Sequence, residues 1–233
     1  MRISFDQVSH RFGSREVLAE ITVEITDRRL GIIGENGSGK STFARMINGL
    51  VAPTEGTIRV DGLDPDRDGR ELRQRVSFTF SNPDAQILMP TAGEDIAFSL
   101  RRSGLSEDQR AARVAQELER ITLSGYADHP AHHLSSGQKQ LLAFASVLVT
   151  DPELLICDEP TTLLDLPNTR RIMALIDSLP QQVVLVTHQL EHVVHWPRVL
   201  VFRRGRIAFD GPGGEAVEFY RASCDPDFRE SVR

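Results

Sequence analysis

The sequence predicts an α/β fold: a parallel-sheet core, an antiparallel sheet edge at the N-terminal end and a helical block inserted in the middle. Three observations predict it. Residues 154–157, 183–186 and 199–202 are short and nearly all apolar, and helical stretches separate them. Apolar strands alternating with helices are what a parallel sheet covered on both faces requires. A glycine-rich turn links a buried strand to a helical stretch at residues 41–48, and the long segment between the strand candidates at 76–80 and 154–157 is mostly helical.

In chain order, residues 3–8 alternate apolar and polar side chains, and residues 21–25 do so again after a turn around Gly13, so the two read as an antiparallel edge. Leu30, Ile32 and Ile33 form the short strand before the glycine-rich turn, and Phe43, Met46 and Ile47 stand at helical spacing after it. Residues 58–60 and 76–80 are the next strand candidates, and 53–56 and 211–214 read as loops. Within the helical block, roughly residues 91–149, the clearest helix starts at Ser106 with Gln109 three positions on, a capping box. Its buried side is expected to carry Ala112, Ala115, Leu118 and Ile121. Ile96, Phe98 and Leu100 read as core more readily than as the lining of a groove.

With 233 residues, 40% of them hydrophobic, the chain can bury a sizeable core. No fixed-period repeat or low-complexity linker divides it, so one domain over residues 1–233 is expected, the helical block lying at about 83–150 within it. Twenty-seven Lys and Arg against thirty-three Asp and Glu give a net charge of −6, which argues against a nucleic-acid partner held by counterion release. Cys157 in an apolar run and Cys224 near the C-terminus offer neither a disulfide framework nor a cysteine metal site, which fits a reducing compartment. The longest mostly apolar stretch, residues 141–149, falls short of the ~20 residues that span a bilayer, and residues 1–10 hold no apolar signal-peptide core. A role at a membrane is therefore expected to come through a partner.

Gly34-Glu35-Asn36-Gly37-Ser38-Gly39-Lys40-Ser41 matches the phosphate-loop pattern, two glycines, a lysine and a hydroxyl residue at set offsets. Glycines let successive backbone N–H groups turn inward around phosphate oxygens, and the helix N-terminus adds positive potential. Lys40 is one of only two lysines, the other being Lys139; all remaining cationic chains are arginine, so a compact ammonium is called for here. Lys40 is expected to reach the β and γ phosphates, Ser41 to ligate Mg²⁺, and the run through Thr42 to hold the nucleotide. Asp158 and Glu159 end an apolar strand, where ligands of parallel sheets bind. Asp158 is expected to hold Mg²⁺ through its water shell and Glu159 to orient and polarise the attacking water. His188, Glu191 and His192 also fit the H-x-x-E-H pattern of inverted zinc proteases, with His195 a turn further on. His188 follows a strand and would not share a helix with the other two, which sets the zinc reading aside; His192 and His195 then read as a solvated helix face.

Leu134-Ser135-Ser136-Gly137-Gln138 resembles the signature motif of ABC-type ATPases, whose usual form has glycine where Ser136 stands. Ser135 and Gly137 precede an apolar helix at residues 138–149, so the motif presents N–H groups and a hydroxyl at a helix N-terminus. The order of motifs is similar to the family's over nearly the whole chain: Phe12 in the place of the adenine-stacking aromatic, the phosphate loop, the Asn82-Pro83-Asp84 turn, the signature, Asp158 with Glu159, Asp165 and His188. The resemblance implies an ABC nucleotide-binding domain, a RecA-like P-loop core with an N-terminal antiparallel β-subdomain and an inserted α-helical subdomain. It implies ATP and Mg²⁺ as ligands, Glu159 and His188 as catalytic groups, and two ATPase chains, identical or related, paired head to tail. Ser135, Gly137 and Gln138 would then touch the nucleotide of the other subunit, and Thr162-Leu163-Leu164-Asp165 would cross the interface.

The chain departs from the family at residues 80–86, where Ser81 occupies the place of the glutamine that usually touches Mg²⁺. Ser81 is read as a weak metal contact through water, with Gln86 as an alternative and not as a direct ligand. Asn82-Pro83-Asp84-Ala85-Gln86, followed by Pro90-Thr91 and Glu94-Asp95-Ile96-Ala97-Phe98, resembles the ATPases of energy-coupling-factor (ECF) importers, and the run from Ala85 to Thr91 is similar to those of biotin importers. That implies ATP-driven uptake of a vitamin, biotin first, with cobalt or nickel import as the alternative. It also implies a transmembrane coupling protein, a separate substrate-binding membrane protein, and a peripheral place at the cytoplasmic face of the cell membrane. A non-transport ABC ATPase of nucleic acid or ribosomes calls for a coiled-coil insertion or a second ATPase module, neither of which is visible. Arg203, Arg204 and Arg206 read as a solvated turn.

Overall fold

The computed structural model describes residues 1–224; residues 225–233 of the expected domain lie outside the described residues. In chain order the elements are β1 (Ile3–Phe12), β2 (Arg15–Ile25), β3 (Arg29–Gly34), α1 (Lys40–Ile47), β4 (Glu55–Val60), α2 (Gly69–Arg75), β5 (Val76–Thr79), α3 (Ala92–Ser99), α4 (Glu107–Arg120) and α5 (Ser136–Leu148). They continue with β6 (Leu154–Asp158), α6 (Leu166–Ser178), β7 (Gln182–Val186), β8 (Arg198–Arg203), β9 (Arg206–Gly211) and α7 (Gly213–Ser223). The described residues divide into two compact units, one holding residues 1–73 and 182–224, the other Gln74–Gln181.

In the first unit the alternating N-terminal residues pair as anticipated, β1 antiparallel to β2 with Ile3 opposite Ile25 and Phe5 opposite Val23. β4 joins the other side of β1 with antiparallel register, Ile3 opposite Val60, so this strand belongs with the N-terminal sheet and not with the parallel one. Its burial agrees: only Ile58 and Val60 are buried, which is a one-sided strand, whereas β7 is buried at every position. β3 lies between β7 and β8 with parallel register, Ile32 opposite both Val186 and Leu200. Phe43 of α1 stacks on Phe5 of β1 at 4.2 Å and lies tilted against Phe202 of β8 at 5.1 Å, joining helix and strands in one aromatic core.

β9, absent from the sequence reading, pairs antiparallel with β8. Its alternation is only of exposed and half-buried positions, too weak a pattern to stand out. Arg204 and Gly205 do form the turn before it, while Gly211 ends β9 and Gly213 opens α7 instead of forming a loop. Likewise Glu55 and Gly56 open β4. Arg198 ties these pieces together, donating to both oxygens of Asp210 at 2.7 Å, to Asp27 at 2.8 Å and to the carbonyl of Glu24 at 2.8 Å. The Asp210 carboxylate, and then Asp27, hold the guanidinium above its ordinary pKa against the opposing effect of burial.

In the second unit β5 and β6 are parallel, Val76 opposite Leu154 and Thr79 opposite Cys157. The helical block expected at about 83–150 lies inside this unit, which also takes in β5, β6 and α6. α4 begins with the anticipated capping box, both bonds between Ser106 and Gln109 present. Its buried face is Val114, Glu117, Leu118 and Ile121, whereas Ala112 and Ala115 are exposed. A single methyl contributes little apolar area, so Val114, Leu118 and Ile121 set the helix rotation, and Glu117 is accommodated with Arg113 and Arg120 at 3.9 and 3.6 Å. Ile96 and Leu100 are core, and Phe98 is half-buried beneath the Arg101 guanidinium at 3.9 Å. Among the described residues no helix is long and apolar enough to cross a membrane; Cys157 is buried and Cys224 exposed.

Candidate functional site

The phosphate loop runs from the end of β3 to α1 in the first unit, and its two obligatory glycines answer to different neighbours. Gly34 has φ of 145°, and a Cβ there would lie 2.2 Å from the carbonyl oxygen of Phe202. Gly39 has φ of 104° at the N-cap of α1, where a Cβ would meet Leu18 at 2.6 Å and the carbonyl of Val17 at 2.7 Å. Between them the loop folds on itself, with Ser38 N–H donating to the carbonyl of Glu35 at 3.2 Å and Gly205 N–H to that of Ser38 at 3.1 Å. Glu35, Asn36 and Gly37 form the exposed crown, and Ser41 and Thr42 lie half-buried in the first turn of α1.

Lys40 is 5% exposed, and its Nζ donates to the carbonyls of Gly34 at 2.8 Å and Glu35 at 2.9 Å. The ammonium is thus held inside the curl of its own loop. Ser38 Oγ is buried there with no hydrogen-bond partner, the kind of orphan that a bound oxygen would satisfy. An ammonium, an orphaned hydroxyl and a helix N-terminus fit a polyphosphate.

Two further expected residues belong to the same unit. His188 follows β7, and Thr187 N–H donates to the carbonyl of Ile32 at 3.0 Å, so His188 and Gly34 leave the same end of adjacent parallel strands. It is exposed. Phe12 ends β1, 56% exposed, its ring T-shaped to that of His10 at 4.5 Å. The helix expected to carry His192 and His195 does not exist: residues 190–192 form a single 3₁₀ turn. Among the described residues no three His, Cys, Asp or Glu side chains gather as metal ligands.

The second unit carries the other expected groups. Asp158 ends β6, buried, and Glu159 follows with φ of 55°, a left-handed conformation that is costly for a side chain with a Cβ. Thr162 Oγ1 donates to its carboxylate at 2.9 Å, steadying it half-buried at the strand end. Since Thr79 is opposite Cys157, the half-buried Ser81 leaves the same end of the β5–β6 pair. Gln86 points back into its own unit: its Oε1 accepts from Phe80 N–H at 3.2 Å and its Nε2 donates to the carbonyl of Ala143 at 2.9 Å. Both ends of this amide are therefore spent on backbone, which removes Gln86 as a metal contact in this state.

The signature residues also form a capping box, Ser135 Oγ accepting from Gln138 N–H at 3.3 Å and Gln138 Oε1 accepting from Ser135 N–H at 2.9 Å. Gly137 is buried against Asn168, whose Cγ would lie 2.3 Å from a Cβ at that position. Asn168 is itself held by Asp165, the N-cap of α6, through its backbone N–H at 3.0 Å and its side-chain amide at 2.8 Å. The sequence reading missed Asn168, although Asp165 followed three residues on by Asn168 is a legible cap pattern. It also left Lys139 without a role; its ammonium pairs with Asp84 at 2.7 Å. Leu163 and Leu166, on either side of Asp165, are exposed.

A glycine-cradled phosphate loop, a carboxylate pair at a parallel strand end and a capped signature helix define an ABC-type ATPase. The chain belongs to the ABC transporter family, whose pattern matches residues 19–162. It is 45% identical to the biotin transport ATP-binding protein BioM of Rhizobium etli over 221 residues, 95% of this chain and 98% of that one. It is 38% identical to the energy-coupling factor transporter ATP-binding protein EcfA1 of Thermotoga maritima over 222 residues, 94% and 85% of the two chains. Among solved structures it resembles CbiO1 of Clostridium perfringens, part of the ABC transporter complex CbiONQ, with a TM-score of 0.82, 30% identity and 97% and 95% coverage.

Proposed function

We infer that this chain is the ATP-binding and hydrolysing subunit of an ECF-type importer and that the imported vitamin is biotin. The observation that carries this reading is the end-to-end likeness to the Rhizobium etli biotin transport protein, which extends beyond the motifs common to ABC ATPases. In this reading Lys40 and the backbone amides of residues 34–42 bind the nucleotide phosphates, Phe12 stacks on the base, and Ser41, with Asp158 through water and Ser81 more weakly, holds Mg²⁺. The ion supplies neutralisation of phosphate charge. Glu159 orients and polarises the attacking water, and His188 donates to the γ-phosphate side. Ser135, Gly137 and Gln138 serve the nucleotide of a second ATPase chain, with Leu163 and Leu166 covered by that chain.

The membrane partner docks on the second unit at a groove of about 360 Å³ lined by Asp84, Leu88, Met89, Pro90 and His132. Leu88, 68% exposed, supplies its apolar contact. In this reading the chain lies at the cytoplasmic face of the membrane, held there by its partner. Glu159→Gln removes the base while leaving phosphate binding intact, so light scattering is expected to show an ATP-trapped dimer; a chain that stays monomeric at saturating Mg-ATP overturns the paired-site reading. Detergent co-purification from native membranes with mass spectrometry tests the transport role. A small integral membrane protein carrying biotin supports it, another vitamin or a metal overturns only the substrate, and ribosomal or DNA-bound material without membrane protein overturns transport.

A further inference from the structure

We propose that Asp95 is a positioning residue for the signature serine, Ser135, clamping the partner-facing segment onto the helix that Ser135 caps. Asp95 belongs to α3 and is 4% exposed. One of its carboxylate oxygens accepts from the backbone N–H groups of Leu88 at 2.8 Å and Met89 at 3.1 Å. The other accepts from Ser146 Oγ of α5 at 2.7 Å. Three donors compensate a buried carboxylate only while segment and helix keep this spacing, so the group acts as a clamp.

The clamp is the strongest of three. Lys139, Ala143 and Ser146 follow one another at four and three residues, which places them on one face of α5. Each is bonded to the segment between β5 and α3 or to α3 itself: Lys139 to Asp84, the Ala143 carbonyl to Gln86, and Ser146 to Asp95. Asp84 is largely exposed, so its ion pair contributes little, and the Gln86 bond is between neutral groups. Asp95 alone combines charge, burial and several donors. A helix of 13 residues transmits displacement along its axis, so a push on Leu88 reaches the cap at Ser135. With serine at position 81, the long side chain usual there is absent, and this side-chain stitching is the route by which the segment moves the signature.

The inference rests on the paired-site reading above, and the test separates the two. In the full chain, Asp95→Asn is expected to leave Mg-ADP affinity, which reports the phosphate loop, within about twofold of the parent while lowering kcat for Mg-ATP by roughly tenfold or more. In the Glu159→Gln background it is expected to raise the protein concentration needed for ATP-driven dimerisation by a similar factor. An unchanged kcat, or equal losses in Mg-ADP affinity and kcat, overturns the proposal. If Asp95→Asn does not fold, Ser146→Ala removes one of the three bonds and carries the test: a smaller fall in kcat at constant Mg-ADP affinity supports the clamp, and no fall overturns it. Failure of Glu159→Gln with Asp95 intact to dimerise brings down the paired-site reading itself, and the clamp with it.

Discussion

The phosphate loop and the segment that carries Ser81 both connect a strand to a helix, yet they are built in opposite ways. The first is shaped by its backbone: Gly34 and Gly39 press against the carbonyls of Phe202 and Val17, and Lys40 bonds to carbonyls five and six residues before it. The second is shaped by side chains that reach across the sequence, Gln86 to Ala143, Lys139 to Asp84 and Asp95 to Ser146, at separations of 57, 55 and 51 residues. A loop that must hold one ligand geometry gains from a stiff backbone without adjustable side chains. A loop that relays movement to a distant helix needs connections to that helix, and side chains supply them.

That contrast can be broken most severely at the backbone. Gly39→Ala forces a Cβ into the Val17 carbonyl at a φ of 104° and is expected to cost about 2 kcal/mol or more while abolishing ATP binding. Thermal unfolding and nucleotide titration on the same sample check both halves. A middle effect is expected from Gln86→Leu, which leaves the Phe80 N–H and the Ala143 carbonyl without their partner. Its cost is about 1–3 kcal/mol, with Mg-ADP affinity unchanged; a loss of affinity here erases the distinction between the two loops.

The smallest effect sharpens the comparison within the first unit, where Asp64 serves only its own turn. Burial pushes its carboxyl up, but the Asp66 N–H, the Arg59 guanidinium and the Arg67 N–H together hold it below its usual value of 3.8. A lowered folded pKa stabilises the protein above the unfolded value, and that contribution is lost as pH falls through the folded one. Asp64→Asn is therefore expected to flatten the acid limb of the stability curve below about pH 4 and leave neutral-pH nucleotide binding untouched. Equilibrium unfolding measured across that range checks it.

The sequence by itself determined what depends on neighbours in the chain. The alternation of residues 3–8 specified a half-buried strand, the run at 183–186 a fully buried one, and Ser106 with Gln109 a helix start, because each signal lies within a few residues. The phosphate loop was legible for the same reason, its chemistry being contained in eight consecutive positions. The signature motif was recognised from its residues, but the need for glycine at 137 was not, since Asn168 lies 31 positions away. Only the tertiary structure decided which sheet β4 joined, which side of α4 faced inward, what Lys139 paired with and why Asp95 is buried. Those outcomes depend on pairings between distant segments, where burial and hydrogen-bond satisfaction are settled by the whole unit and not by any window of sequence.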